Sequence, residues 1–149
     1  MDAIAMLDLV DGELRLRHLK FEPHPVHQAP THFFQMVHEQ TGAEMGAINL
    51  RVGSSLHIES FAGHVGYTVY PQYRGHRYAA RSLRLLLPVA CRLELQTIWI
   101  TCDPENAASR RSAEIAGAVF VEIVDVPATC IIHRSGHPRK CRYRLDPHS

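Results

Sequence analysis

The chain has 149 residues, 46% of them hydrophobic, which is enough to bury one sizeable core and reads as a single domain over 1–149. With 16 Lys and Arg against 15 Asp and Glu the net charge is +1, so no whole-protein field favours nucleic acid or a membrane surface. Four cysteines without C-x-x-C spacing, and a start lacking a basic region followed by an apolar run, predict a reduced, cytoplasmic protein.

In chain order, 13–19 alternates Leu with charged residues and reads as a half-exposed strand. Residues 20–32 are proline-rich and leave room for at most one helical turn. His24, His27 and His32 fall in this stretch, but Pro23, Pro25 and Pro30 prevent a helix from bringing imidazoles together and the stretch has no Cys and only Glu22 as a carboxylate, so no metal is expected. Strands over 33–39 and 44–52 flank a hairpin turn at Thr41-Gly42, and a second turn at Gly53-Ser54-Ser55 leads to a strand over 62–70. A helix is predicted over 78–95 from the stripe Leu83, Leu86, Leu87, Ala90, Leu93, kinked at Pro88. The apolar run 83–90 contains Arg84 and Pro88 and is too short to span a bilayer. A strand over 97–102 follows, then a turn and cap at 103–106, a helix over 107–116 stopped by Gly117, and strands over 119–126 and 140–145. Antiparallel strands first and a β-α-β-α-β section later give an α/β (α+β) class with a mixed sheet.

The most informative stretch runs from the strand ending at Val69 through Pro71 and Arg74-Gly75-His76-Arg77 into the helix at Tyr78. A helix that starts there aims unpaired N–H groups and the positive end of its dipole at an anion. The nucleotide fingerprints G-x-x-x-x-G-K-[ST] and G-x-G-x-x-G are both absent. Arg74-Gly75-His76-Arg77-Tyr78-Ala79 instead resembles the acyl-CoA signature Arg/Gln-x-x-Gly-x-Gly/Ala of the GNAT superfamily of N-acetyltransferases, with Arg77 in place of the usual Gly. Either Gly75 takes over the sharp turn or Arg77 reaches over the pyrophosphate as a charged clamp. Asn106, Ser109, Arg110, Arg111, Glu114, Gly117 and Phe120 resemble a second family pattern in its ribosomal-protein-acetyltransferase-like form, and the likeness covers about 43–120.

The resemblance implies the GNAT fold: a central sheet whose fourth and fifth strands splay apart to admit acetyl-CoA, here with the N-terminal helices shortened or missing. It implies backbone contacts to the pantetheine arm from Thr68, Val69 and Tyr70. Arg74, His76 and Arg77 are expected around the pyrophosphate, with amides from Gly75, Tyr78, Ala79 and Ala80. Asn106 either bonds the pantetheine arm or caps its own helix, and Arg110 and Arg111 either approach the adenosine 3′-phosphate or are solvated. The implied reaction is direct acetyl transfer to a primary amine, without a metal. It needs a neutral amine, which a base supplies, contributing about 10²–10⁴-fold. His64, where many relatives carry Glu, is either that base or a structural residue beside a water relay. At the position where relatives use a Tyr acid the chain has Ala113; Ser109 is the nearest replacement, with Tyr67 and Tyr78 behind it. The acceptor is a small-molecule amine, a polyamine or a protein amino terminus, in a pocket that the short 20–32 segment leaves more open, or that is completed by the 130–139 loop or by a second subunit in a homodimer. Two rival readings are a non-catalytic acyl-CoA-binding module and a nucleic-acid binder using the helix arginines.

Overall fold

The structure, a computed structural model, describes residue 4 and residues 6–148. The alternation of Leu14 and Leu16, both buried, starts the first long hairpin, β2 (Leu14–Pro23) with β3 (Pro30–His38), preceded by the short β1 (Val10–Asp11). Segment 20–32 is not the loop expected: it continues both strands, pairing Phe21 with His32 and Pro23 with Pro30. Pro23 and Pro30 lie at the ends of β2 and β3, where a strand tolerates a missing N–H, and Pro25 lies in the turn between them. His24 closes the tip, since its N–H donates to Ala29 C=O at 2.9 Å and its Nδ1 accepts from Val26 and His27 N–H at 3.0 and 3.1 Å. A bulge between His18 and Lys20 breaks the alternation and leaves Leu19 and Phe21 half exposed.

The Thr41-Gly42 hairpin leads, as the sequence predicts, into β4 (Glu44–Arg51), with Gly42 at φ 75°. Gly46 is required for close approach, because a Cβ there would lie 2.3 Å from Thr68 C=O on β5 (Val65–Val69). Between β4 and β5 the chain makes one turn of π-helix, His57–Ala62, which the sequence reading lacked. Helix 78–95 divides at Leu86 into α1 (Tyr78–Leu85) and α2 (Leu87–Arg92), with Pro88 in the first turn of α2, where its missing N–H costs nothing. There follow β6 (Ile98–Cys102), α3 (Ala107–Ile115), β7 (Val119–Asp125), α4 (Ile131–Arg134) and β8 (Arg139–Leu145).

The α/β (α+β) class holds. Two antiparallel sheets form, β1-β2-β3-β4-β5 and β6-β8-β7. The last strand is therefore central, and the exposed edge is β7, where Val119, Phe120, Val121 and Ile123 face solvent. Leu83, Leu86 and Val89 of the helices pack with Ile48, Leu50, Ile98, Ile100 and Tyr143 in one buried cluster. Each such side chain stabilises the fold by roughly 1.5–3 kcal/mol.

The sheets adjoin at β5 and β6 through one backbone bond, from His64 N–H to Trp99 C=O at 2.7 Å. The π-helical turn fastens the same seam. Thr101 Oγ1 donates to Phe61 C=O at 2.9 Å, and Arg142, stacked on the Trp99 ring, donates to Glu59 C=O. Beyond that seam the two strands part, and the gap opens toward the starts of α1 and α3.

Candidate functional site

After β5 a single 3₁₀ turn, Pro71–Tyr73, throws the chain into the loop 74–77. Gly75 has φ 97° and Arg77 has φ 60°, ψ 30°, so both residues adopt left-handed backbone. Arg77 thus takes a conformation that glycine adopts freely, at a cost of about 1 kcal/mol or more for a side chain in that region. The first bond within α1 runs from Arg81 N–H to Arg77 C=O, and no side chain caps the helix, which leaves the N–H groups of Tyr78, Ala79 and Ala80 without helical acceptors. Arg74, Gly75, His76 and Arg77 are exposed, and Arg74 Nε donates to Val69 C=O at 3.2 Å. Behind the loop, Glu13 accepts from Tyr78 Oη and Arg81, whose hydrogen bonds hold its carboxyl down to about 2. The Tyr78 side chain is thus an anchor, and its amide is what the loop offers.

The register of β5 decides which backbone groups face the gap. Arg51 N–H donates to His64 C=O and Tyr70 N–H to Met45 C=O, six residues apart along one register. Antiparallel alternation therefore turns residues 66, 68 and 70 toward β4, with His64 sharing its C=O with β4 and its N–H with Trp99, and leaves Val65, Tyr67 and Val69 facing outward. The expected contacts from Thr68 and Tyr70 backbone are corrected: their groups pair with β4, and Tyr67 joins Val69 on the open edge.

Two cavities meet in the gap. One, of about 510 Å³, is lined by Thr68, Val69, Arg74, Gly75, Arg77 and Ala79 and reaches Asn106 and Ser109. The other, of about 380 Å³, is lined by residues on both splayed strands and by Ile131, Ile132, Ser135 and His137 of the 130–139 segment. Tyr67, Asn106 and Ser109 line both. At the junction Tyr67 Oη donates to Ser109 Oγ at 3.2 Å, and burial raises the phenol's pKa, which keeps it protonated at neutral pH. Asn106 Oδ1 accepts from Ser109 N–H at 3.1 Å and so caps α3.

Residues 9–119 match the acetyltransferase (GNAT) domain family. The chain belongs to the GNAT acetyltransferase family. No curated protein matches it in sequence. Among solved structures it resembles a GNAT-family acetyltransferase of Bacillus anthracis, at 21% identity and TM-score 0.62 over 78% of this chain and 67% of that one. A Vibrio cholerae protein proposed to be a ribosomal-protein-serine acetyltransferase is 26% identical, with TM-score 0.60 over 78% of this chain and 64% of that one. RimL, a ribosomal L7/L12 α-N-protein acetyltransferase solved with coenzyme A, shares 13% identity at TM-score 0.60 over 78% of this chain and 62% of its own. The first and third likenesses are of fold.

Within this GNAT domain two expected site residues have other work. His64 is buried, its Nε2 bonds Gly53 C=O at 2.8 Å, and its Nδ1 accepts from Trp99 N–H at 2.9 Å. Burial holds its pKa below the ordinary range, and with both nitrogens committed to backbone it has no lone pair for an amine proton. Arg110 is likewise corrected. Its Nε donates to Tyr143 Oη at 2.9 Å, its Nη1 to Pro104 C=O at 3.3 Å, and its guanidinium lies over Phe120, so it fastens α3 to the second sheet. Ala113 is fully buried. Tyr70, His76, Ala80 and Arg110 are not among the residues lining either cavity.

The sequence reading missed Asp103 and His137, which meet in the second cavity. His137 Nδ1 bonds Asp103 Oδ2 at 2.7 Å, and Lys140 Nζ forms an ion pair with Oδ1 at 3.2 Å. Burial pushes the Asp103 carboxyl upward, but His137 and Lys140 hold it below its usual range. Cys102 is buried and its thiol is pushed up to about 11, chiefly by burial, so it is no nucleophile. Asp103 reads as a turn residue and His137 as a loop histidine, because only the fold brings these distant positions together.

Proposed function

We propose that the domain transfers an acetyl group from acetyl-CoA directly to a primary amine. The observation that carries this reading is the uncapped start of α1, whose unpaired amides and left-handed turn at 75–77 open into a cavity that continues through the splayed strands to a second one. A diphosphate fits that loop by chemistry: it offers free N–H donors, a helix dipole, and the exposed side chains of Arg74, His76 and Arg77. Acetyl-CoA supplies the activated acyl carbon. Tyr67 and the Val69 N–H present open backbone groups along the path, and Asn106 offers its side-chain Nδ2.

The amine enters from the second cavity. His137, aligned by Asp103, takes the amine proton directly or through water, the role that His64 cannot fill. Tyr67, hydrogen-bonded to Ser109, gives a proton to the departing thiolate and replaces the tyrosine missing at Ala113. The nitrogen–carbon bond forms as the carbon–sulfur bond breaks, and no covalent enzyme intermediate is needed.

Calorimetry with coenzyme A, followed by thiol release from acetyl-CoA with an amine panel, tests the reading. Micromolar binding and amine-dependent thiol release are expected. No heat with coenzyme A defeats it, and binding without turnover for every amine makes the domain an acyl-CoA-binding module.

A further inference from the structure

The second cavity holds a charge that this chemistry leaves unused. Arg51, the last residue of β4, lines it and is only 5% exposed. Its Nη1 donates to Ala62 C=O at 3.1 Å and Gly63 C=O at 2.8 Å. Nε is buried with no acceptor, and Nη2 donates to none among the described residues. Nη2 lies against Gly66, where a Cβ would sit 2.8 Å away, so glycine on β5 makes room for the guanidinium.

No carboxylate of the described residues pairs with Arg51. The acid on the cavity wall, Asp103, is taken by His137 and Lys140. Burial alone pulls the Arg51 pKa down to about 10. Around it stand His24, His27, His57 and His64, each held below the ordinary range by burial first and by the Arg51 charge as well, with Glu59 opposing this only at His64. His27, bonded to His57 at 2.7 Å, falls to about 3. Buried charges in proteins are paired or hold an ion, and a guanidinium among neutral imidazoles is neither. Its counter-charge has to be brought by a ligand.

We infer that the acceptor is a small primary amine that also carries a carboxylate, and that Arg51 receives that carboxylate in the second cavity. This deepens the acetyl-transfer reading and rests on it. The cavity, about 380 Å³, has the size of a small-molecule site. Its other cation, Lys140, is already paired, so a single negative charge balances it, whereas a phosphate carries roughly 1.5 to 2 charges.

The test is thiol release from acetyl-CoA with amino acids, each set beside its carboxamide and its decarboxylated amine, and beside phosphoethanolamine. At least one amino acid is expected to exceed its two carboxylate-free partners by about 100-fold in kcat/KM, and Arg51→Gln to shrink that ratio below about 5-fold with coenzyme A affinity unchanged; 100-fold corresponds to about 2.7 kcal/mol. Because Arg51→Gln also loses two backbone bonds and can unfold, Arg51→Lys and the melting temperature of the unaltered protein give a second readout. A preferred amino acid should raise that temperature where its carboxamide does not. Equal rates for all three partners, a preference for phosphoethanolamine, or a ratio unmoved in a folded Arg51 variant would overturn the inference while leaving acetyl transfer intact. Coenzyme A binding with no amine turned over removes the underlying reading and this inference with it.

Discussion

Two helices start at the mouth of the splayed strands, and they start differently. α3 satisfies its own first turn, since Asn106 Oδ1 accepts from Ser109 N–H. α1 has no side-chain cap, begins from a left-handed arginine, and leaves its amides open to the larger cavity. A self-capped helix is a wall; an uncapped one that is still pinned, here by Glu13 to Tyr78 and Arg81, is a receptor. In the proposed function the α1 side of the gap does the holding and the α3 side, where Tyr67 meets Ser109, the chemistry.

Making α1 resemble α3 is the strongest way to break that assignment. Arg77→Asp replaces a cation by a carboxylate that can cap the free amides. Coenzyme A affinity by calorimetry should fall by about 100-fold, the loss of a charged hydrogen bond plus new repulsion, while the melting temperature stays level or rises. Unchanged affinity would show that α1 is no receptor. Next in size, Tyr67→Phe removes the proposed proton donor on the other side. We expect kcat to fall by about 10- to 100-fold with coenzyme A affinity within about twofold, because general-acid help is lost and the phosphate loop is untouched. A fall in affinity with kcat preserved would move Tyr67 from chemistry to holding.

The α1 side was legible in the sequence because its information is local. A strand, Pro71, a basic glycine turn and a helix lie within about twenty consecutive residues, and even the left-handed backbone at 75–77 follows from the place where the family keeps glycine. The strands over 33–39 and 44–52 with the Thr41-Gly42 turn between them were equally readable, whereas the continuation of the first hairpin through 20–32 was not. What failed was set by distant parts of the chain. His64 reads as either a base or a structural residue until the fold places Gly53 and Trp99 on its two nitrogens. Arg51 occupies the face of β4 that alternation assigns to water, and it is buried because the turn at 57–62 folds over it. Asp103 and His137 are 34 residues apart and meet through the β6–β8 pairing, which no local pattern encodes.

A smaller effect concerns stability rather than ligand. Asn106→Ala removes the α3 cap and should cost about 1 kcal/mol, lowering the melting temperature by about 2–4 °C for a chain of this size. Coenzyme A affinity should change far less than in Arg77→Asp. If it fell as much, Asn106 would be a ligand contact first and a cap second, and the contrast between the helices would narrow.

The finest test is one of order rather than size, and acid supplies it. On the β5–β6 seam, neutral His64 joins Gly53 to Trp99, and its folded pKa lies below the ordinary value of 6.5. The unfolded chain therefore binds more protons as pH drops, so the stability that His64 contributes is complete above about 6.5 and is lost as pH falls below it. His24, His27 and His57 shift in the same direction. At the start of α1 the controlling group is Glu13, whose pKa falls from 4.5 to about 2, so its contribution is complete above 4.5 and is lost only between there and about 2. Hydrogen exchange followed from pH 7 downward should show the Trp99 amide losing protection before that of Arg81. The reverse order would mean that the α1 anchor, not the histidine seam, is the weaker hold on the gap.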